Sequence, residues 1–167
     1  ASIARSWSEL DDSWRPAILR ALSEAGSKRS TALLVRLVDR DEKNRAAALA
    51  ALVKTPLLAI ESLDPRSWRS LRTRLESKHA DVRRLAAAIV ARGHDVGAFH
   101  DLVDLMEDDD SMVRRGASQA LRRMTGLGAT TDVGRWRSWY AGEQEWRADR
   151  IDDDLQLLES ADPCMVA

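Results

Sequence analysis

Residues 81–90 read Asp-Val-Arg-Arg-Leu-Ala-Ala-Ala-Ile-Val, and residues 110–121 read Asp-Ser-Met-Val-Arg-Arg-Gly-Ala-Ser-Gln-Ala-Leu. When Val82 is aligned with Val113, the Arg-Arg pair that follows and a small residue two positions later coincide. Self-similarity at a fixed period of this length is typical of stacked structural repeats. The chain is therefore predicted to be a repeat protein.

The same frame extends towards the N-terminus. It places residues 14 and 44 in register with residues 82 and 113, so the anchors are spaced by 30, 38 and 31 residues. Apolar residues before each anchor recur at three- and four-residue spacing, as in an amphipathic helix. We therefore predict one domain over residues 1–167, made of helical hairpins at about 3–25, 30–54, 65–93 and 98–125, with a cap and tail at 130–167.

Composition supports an all-α fold. The 167 residues are 44% hydrophobic and 32% charged, with only 4 Pro and 8 Gly, which argues against disorder and against a turn-rich β fold. No apolar run is long enough to span a bilayer. The first residues have no apolar signal core, so we expect that any targeting peptide has been removed or was never present.

An Asp and an Arg recur at each anchor. The Asp precedes the second helix of its hairpin, where a carboxylate can accept from free backbone N–H groups. The Arg follows the anchor and can reach the Asp of a neighbouring hairpin by a bidentate contact. We predict an Asp–Arg ladder made by Arg15, Asp41, Arg45, Asp81, Arg83, Asp110 and Arg114.

The longest interval between anchors leaves about eight residues unassigned. We expect residues 56–60 to form a short extra helical turn, and Asp64-Pro65 to start the first helix of the third hairpin, since Pro is tolerated at a first helical position.

Asp before Val-Arg, followed by small residues and Ala-Leu, resembles the HEAT-repeat family, and especially its short Ala-rich bacterial members. The resemblance covers about residues 7–125 and implies a right-handed α-solenoid of about four hairpins, with a concave docking surface on the second helices. Such arrays often end in Thr-Gly followed by a tryptophan-rich helix. Thr125-Gly126 and then Trp136 and Trp139 look like that ending.

Residues 65–94 hold eight basic and two acidic side chains, a local charge of +6. One interpretation is an anion-binding face. The other is a set of solvated helix faces paired with acidic residues, and the net charge of −1 for the whole chain favours it. The partner-binding candidates are Arg84, Arg115, Gln119 and Arg122 on second helices, with Arg69 and Arg72 as an alternative on a first helix.

Six tryptophans dominate the aromatic residues. Trp7, Trp14 and Trp68 fall on apolar stripes and are predicted to lie in the core. Trp136 and Trp139 are expected to cover the exposed end of the array, with a partner-binding patch as the alternative. The segment 149–159 is predicted to form one more helix, which docks either on the array or on another protein.

Ordinary catalytic chemistry is not visible in the sequence. His79, His94 and His100 lack the spacing of a helical zinc site, so a solvated position is favoured over metal binding. Cys164, the single cysteine, lies near the end of a polar tail. We expect no catalytic residues, no metal and no cofactor.

These observations lead to a hypothesis of a non-enzymatic protein-interaction scaffold, or of an accessory subunit of a larger complex. The main alternative is a nucleic-acid-binding protein similar to the HEAT-like alkylpurine DNA glycosylases, although the chain is shorter and not net basic. HEAT-like bilin lyases or chaperones are a further alternative with no visible signature. The location stays open between the cytoplasm, which is slightly favoured, and export of a mature chain.

Overall fold

A computed structural model describes residues 7–128 and 132–160, and within these ranges the chain is all-helical, with no strand. By internal contacts, residues 1–131 and 132–167 form two compact units. The nine α-helices of the described ranges are α1 (Arg15–Ala25), α2 (Lys28–Arg40), α3 (Arg45–Lys54), α4 (Leu57–Glu61), α5 (Pro65–Arg72), α6 (Ala80–Arg92), α7 (Phe99–Asp104), α8 (Ser111–Thr125) and α9 (Val133–Ser160). Short 3-10 turns lie at Trp7–Glu9, Val96–Ala98 and Leu105–Glu107.

Several helix starts follow the sequence signals. The Asp110 carboxylate accepts from the backbone amides of Met112 and Val113 and so caps α8. Asp64 accepts from the Ser67 amide at the start of α5, with Pro65 at the first position. These bonds satisfy amides that have no partner inside a first helical turn. The extra helical turn predicted at residues 56–60 is confirmed as α4.

The second helices of the predicted hairpins pack against one another in chain order. Helix α3 contacts α1 on one side and α6 on the other, and α6 contacts α8. Each also packs on the first helix of its own hairpin, α3 on α2, α6 on α5 and α8 on α7. Small side chains contribute to the close-packed interior of this array, since Ala48, Ala86 and Ala117 are all buried.

The tryptophans divide in a way that the sequence did not predict. Trp7 is buried and Trp68 is half-buried, but Trp14 is 64% exposed, so the prediction that it lies in the core is wrong. Trp14 is the residue before α1, and its carbonyl accepts from the Ile18 amide. It therefore projects from the end of the helix and not from its packed side.

The recurrent Arg makes the same contact at all four anchors, and that contact is not the predicted one. From the first turn of its helix it folds back and donates to a backbone carbonyl five to seven residues earlier. The pairs are Arg15 with Leu10 O, Arg45 with Val38 O, Arg83 with Ser77 O, and Arg114 with Asp108 O. The residue therefore braces the turn inside its own hairpin.

The Asp–Arg ladder exists only in part. Arg15 lies 3.8 Å from the Asp41 carboxylate, which also accepts from the Trp7 indole N–H at 2.7 Å. Arg83 makes a bidentate contact of 2.7 Å per bond, but with Asp108 and not with Asp110.

The predicted rungs at Asp81 and Asp110 are wrong. Asp110 is occupied by the two amides that start α8, and the Asp81 carboxylate accepts from the adjacent Val82 amide. Arg45 approaches Glu42 of its own hairpin at 3.9 Å. Between the second and third hairpins the ion pairs are Arg74 with Asp39, at 3.0 Å, and Lys78 with Glu42, at 3.6 Å.

Gly93, the residue after α6, has the least room for a side chain among the glycines that the structure describes. A Cβ atom built there would lie 2.1 Å from the Trp68 ring of α5 and 3.2 Å from Ile60 of α4. Since its φ is −86°, only space and not backbone strain requires glycine here. Trp68 can lie against α6 because no side chain intervenes.

Gly93→Ala is therefore expected to lower the free energy of unfolding by about 2 kcal/mol, since a rigid indole must shift. Denaturant unfolding followed by circular dichroism measures the change. Gly142→Ala in α9 is the matched control, because a Cβ there meets nothing within 4 Å. Equal stability of both variants would contradict the packing described.

Asp108→Asn tests the bidentate contact. Its hydrogen bonds with Arg83 hold the pKa of Asp108 below its usual value, which is about 3.9 in an unfolded chain. The stability gained is present above that value and is lost as pH falls through the folded pKa. We expect Asp108→Asn to cost about 2–3 kcal/mol near neutral pH and progressively less below about pH 4.

The control for this variant is Asp109→Asn, because the Asp109 side chain is exposed. Urea unfolding of both variants across this pH range gives the comparison. A penalty for Asp108→Asn that stayed constant with pH would contradict the ion pair.

Candidate functional site

The second helices border a groove of about 780 Å³ between α6 and α8, which Val53 of α3 also lines. Its floor is made by small side chains of both helices, including Ala88, Gly116 and Ala120. The exposed Met112 side chain lies at its edge. The polar side chains that line the groove are Arg84, Arg92, Arg115, Gln119, Arg122 and Arg123.

The groove is uniformly cationic. Five arginines line it, and no Asp or Glu of the described chain does. Arg84, Arg115, Arg122 and Arg123 are exposed. Among the side chains that the structure describes, no ion pair or hydrogen bond engages any of these four guanidinium groups. Their charges are therefore available to a ligand.

Arg92 is held differently from the other four arginines. It is half-buried at the end of α6, and its guanidinium donates to the Thr55 carbonyl at 2.8 Å and to the carbonyls of Leu52 and Val53. These carbonyls end α3, where an Arg interacts favourably with the helix dipole. The partners are neutral, so the charge of Arg92 is not cancelled.

The electrostatics of Arg92 agree with this geometry. Burial lowers the pKa of the Arg92 guanidinium below its usual value, and the nearby charge of Arg123 lowers it further. Arginine remains protonated in proteins all the same. The groove therefore contains a fixed positive charge close to a second one.

Arg84 crosses from α6 towards α8 at Gly116. A Cβ atom on Gly116 would be 3.2 Å from Cγ of Arg84, which is tighter than an ordinary contact. The glycine therefore lets the Arg84 stem lie against α8, next to Arg115. When the third and fourth repeats are aligned, Gly116 corresponds to Leu85. The space that the missing side chain leaves is therefore absent from the equivalent position of the third hairpin.

The groove brings together four of the partner-binding candidates from the sequence, namely Arg84, Arg115, Gln119 and Arg122. Sequence reasoning missed Arg92 and Arg123. A signal was present, because Arg92 follows Arg84 by eight residues and Arg123 follows Arg115 by eight, so each pair shares one side of its helix.

The first-helix candidates lie elsewhere. Arg72 of α5 binds Asp95 through Nε at 2.7 Å and through a second short bond, and its guanidinium packs over Gly97. The hydrogen bond to Asp95 raises the pKa of Arg72 above its usual value. Arg72 is thus part of the internal structure, whereas Arg69 is exposed on α5.

The +6 segment at residues 65–94 divides between the two interpretations. Arg72, Arg74, Lys78 and Arg83 form ion pairs with Asp95, Asp39, Glu42 and Asp108 respectively. Only Arg84 and Arg92 of this segment line the groove. Half of the eight basic side chains are therefore engaged in ion pairs, while Arg66 and Arg69 are exposed on α5.

A second groove of about 740 Å³ lies between α1 and α3. Its lining is largely apolar, with Pro16, Ala47 and Ala50, and its charged residues are of both signs. Arg20 there pairs with Glu24 at 3.8 Å. This groove has no comparable excess of one charge.

In the second unit, Trp136 and Trp139 of α9 meet edge to face, with ring centroids 6.3 Å apart and planes at 85°. The helix predicted over residues 149–159 is the continuation of α9. The role of these indoles as a cap, or as a partner-binding patch, stays a prediction.

The three histidines are exposed. In the described part of the chain, no three His, Cys, Asp or Glu side chains come together as a metal site. Cys164 lies outside the described residues. None of the helices within the described ranges is long and apolar enough to cross a membrane.

No protein-family model matches the sequence, and no curated protein matches it either. Among solved structures, the fold is similar to the crystal structure of an engineered protein, a target of the Northeast Structural Genomics Consortium, with a TM-score of 0.57 and 21% sequence identity. The aligned region covers 73% of this chain and 60% of that one. At this identity the similarity concerns the fold alone.

Arg123→Gln tests whether the groove holds unopposed positive charge. Removing one of two neighbouring cations should raise the free energy of unfolding by a few tenths of a kcal/mol, about 0.3–0.5, at low ionic strength. At about 1 M salt the gain should disappear, because the Debye length falls to about 3 Å. Thermal unfolding at both salt concentrations measures it.

Arg36→Gln is the control for Arg123→Gln, since Arg36 is exposed on α2, away from the groove. It should leave stability unchanged at both salt concentrations. If Arg123→Gln destabilised the protein at low salt, the electrostatic description of the groove would be wrong.

Proposed function

We propose that the first unit of this chain is a HEAT-like α-solenoid of about four hairpins that works as a non-enzymatic interaction scaffold. Its docking surface is the row of second helices, and the partner protein binds in the basic groove between α6 and α8. The order in which α1, α3, α6 and α8 contact one another supports this architecture. The resemblance of the repeats to HEAT sequences supports it as well.

The observation that carries the proposal is the group of four exposed arginines with no counter-ion inside the described chain. Four other basic side chains of residues 65–94, namely Arg72, Arg74, Lys78 and Arg83, are paired with carboxylates. Concentrating like charges in one groove opposes folding, and such departures from the most stable arrangement are typical of functional sites. An anionic partner would relieve the repulsion.

A protein partner fits these charges better than a nucleic acid does. The net charge of −1 provides no long-range attraction for a polyanion. Acidic residues also stand at the helix starts beside the groove, with Asp81 in the first turn of α6 and Asp109 just before α8. A phosphate backbone running past the groove would meet these carboxylates.

The test is quantitative capture of proteins from native lysate by the immobilised chain, followed by mass spectrometry. Charge reversal by Arg84→Glu with Arg115→Glu should reduce recovery of the specific partner at least tenfold, because truncating or reversing central charges removes several favourable contacts. Arg29→Glu with Arg36→Glu on α2 is the matched control, with the same change in net charge.

Two further arms separate the alternatives. Arg66→Glu with Arg69→Glu tests the first-helix surface around Arg69, and should leave capture unchanged. Fluorescence anisotropy with duplex DNA at low salt tests the glycosylase-like alternative. If the protein does not bind the duplex, that alternative is eliminated. If the groove variants and the α2 control captured the same proteins in the same amounts, the groove would not be the docking surface.

A further inference from the structure

The positive charges of the groove are concentrated at its two ends. At one end, Arg84 reaches α8 at Gly116, next to Arg115. At the other end, Arg92 lies close enough to Arg123 for the Arg123 charge to lower the pKa of Arg92. Arg122 precedes Arg123 in the chain. We call these the Arg84–Arg115 pole and the Arg92–Arg123 pole.

The distance between the poles follows from helix geometry. Along α6, Arg84 and Arg92 are eight residues apart, which is about 12 Å at 1.5 Å per residue. Along α8, Arg115 and Arg122 are seven residues apart, which is about 10.5 Å. Both helices therefore give the same spacing, close to two turns of an α-helix.

The floor between the poles is small and mostly uncharged. Ala88 of α6 and Ala120 of α8 line it, with the exposed amide of Gln119 beside them. A floor of this kind admits the backbone of a second helix, as in recognition of an amphipathic helix by an apolar groove. Met112 adds an exposed apolar contact near the Arg84–Arg115 pole.

We infer that the groove binds an acidic amphipathic helix of a partner protein, in which pairs of carboxylates two turns apart meet the two arginine poles and small apolar residues between them rest on the alanine floor. The inference rests on the proposed function and specifies its ligand. Arginine favours carboxylates because its planar fork can donate two parallel hydrogen bonds.

The charge pattern also limits how far the acidic segment can extend past the Arg84–Arg115 pole. Asp81 and Asp109 lie beyond the Arg84–Arg115 pole, at the starts of the same two helices. They would repel a run of carboxylates that continued past the groove. At this end, the acidic face of the ligand is therefore expected to stop at the Arg84–Arg115 pole.

The probe is a synthetic Ala-rich peptide of about 18 residues, long enough to form a helix when bound. It has Glu at positions i, i+3, i+7 and i+10, so that all four carboxylates share one face. A composition isomer distributes the same four Glu around the helix. A third peptide keeps the Glu positions but has Pro in its centre, which breaks the helix.

Fluorescence anisotropy of labelled peptides with the full chain at low salt gives the affinities. The one-faced peptide should bind at least tenfold more tightly than its isomer and than the Pro-containing peptide. Arg115→Gln and Arg122→Gln, one variant for each pole, should each weaken binding about threefold to tenfold. Arg36→Gln on α2 is the control and should have no effect.

Ala88→Leu separates shape from charge. It fills the floor while leaving every arginine in place, so it should weaken binding of the one-faced peptide and leave its salt dependence unchanged. Circular dichroism checks that the Ala88→Leu variant folds. If it does not fold, Arg115→Gln and Arg122→Gln still test the inference.

Equal affinity of the isomer, or binding insensitive to both Arg115→Gln and Arg122→Gln, would overturn the helix inference. If the Pro-containing peptide bound most tightly, the helix inference would be overturned and an extended ligand would be favoured. If duplex DNA bound more tightly than the peptides, a nucleic acid would be favoured. Partner capture that still depended on Arg84 and Arg115 would then leave the proposed function in place and reject only this ligand.

Discussion

The first unit depends on one steric constraint, which is that its second helices touch along sides made of small residues. Ala47 and Ala50 of α3 line the groove beside α1, and Ala88 of α6 and Ala120 of α8 line the groove between those two helices. Larger side chains would separate the helices and open voids in the interior. The groove is a product of the same constraint, because the residues that line it between the arginines are mostly small, including Ala88, Gly116 and Ala120.

Much of the fold could be predicted from the sequence, because the signals are local. Hydrophobic spacing, Asp110 as a cap and Pro65 at a first helical position all act within a few residues, and the structure confirms them. Trp14 shows the limit of such reasoning. Trp14 continues the apolar spacing of the sequence. It nevertheless lies one residue before α1 begins, and its side chain is exposed.

The ion pairs were harder to predict than the helices. Asp108 and Asp110 both precede α8, and spacing alone could not show which of them Arg83 would bind. The structure gives the reason, since Asp110 is already committed to the backbone amides that begin the helix. Likewise, the five arginines of the groove lie on two helices separated in the chain, so only packing reveals that they share one surface.

Arg92 illustrates how a structural contact can prepare a site for a ligand. Its guanidinium is held by carbonyls at the end of α3, so its long side chain is fixed by folding and not by binding. Immobilising such a side chain on association costs about 0.5–1.5 kcal/mol, and here that entropy has already been lost. The groove is preorganised at this point, which favours slow dissociation of any anion that fits it.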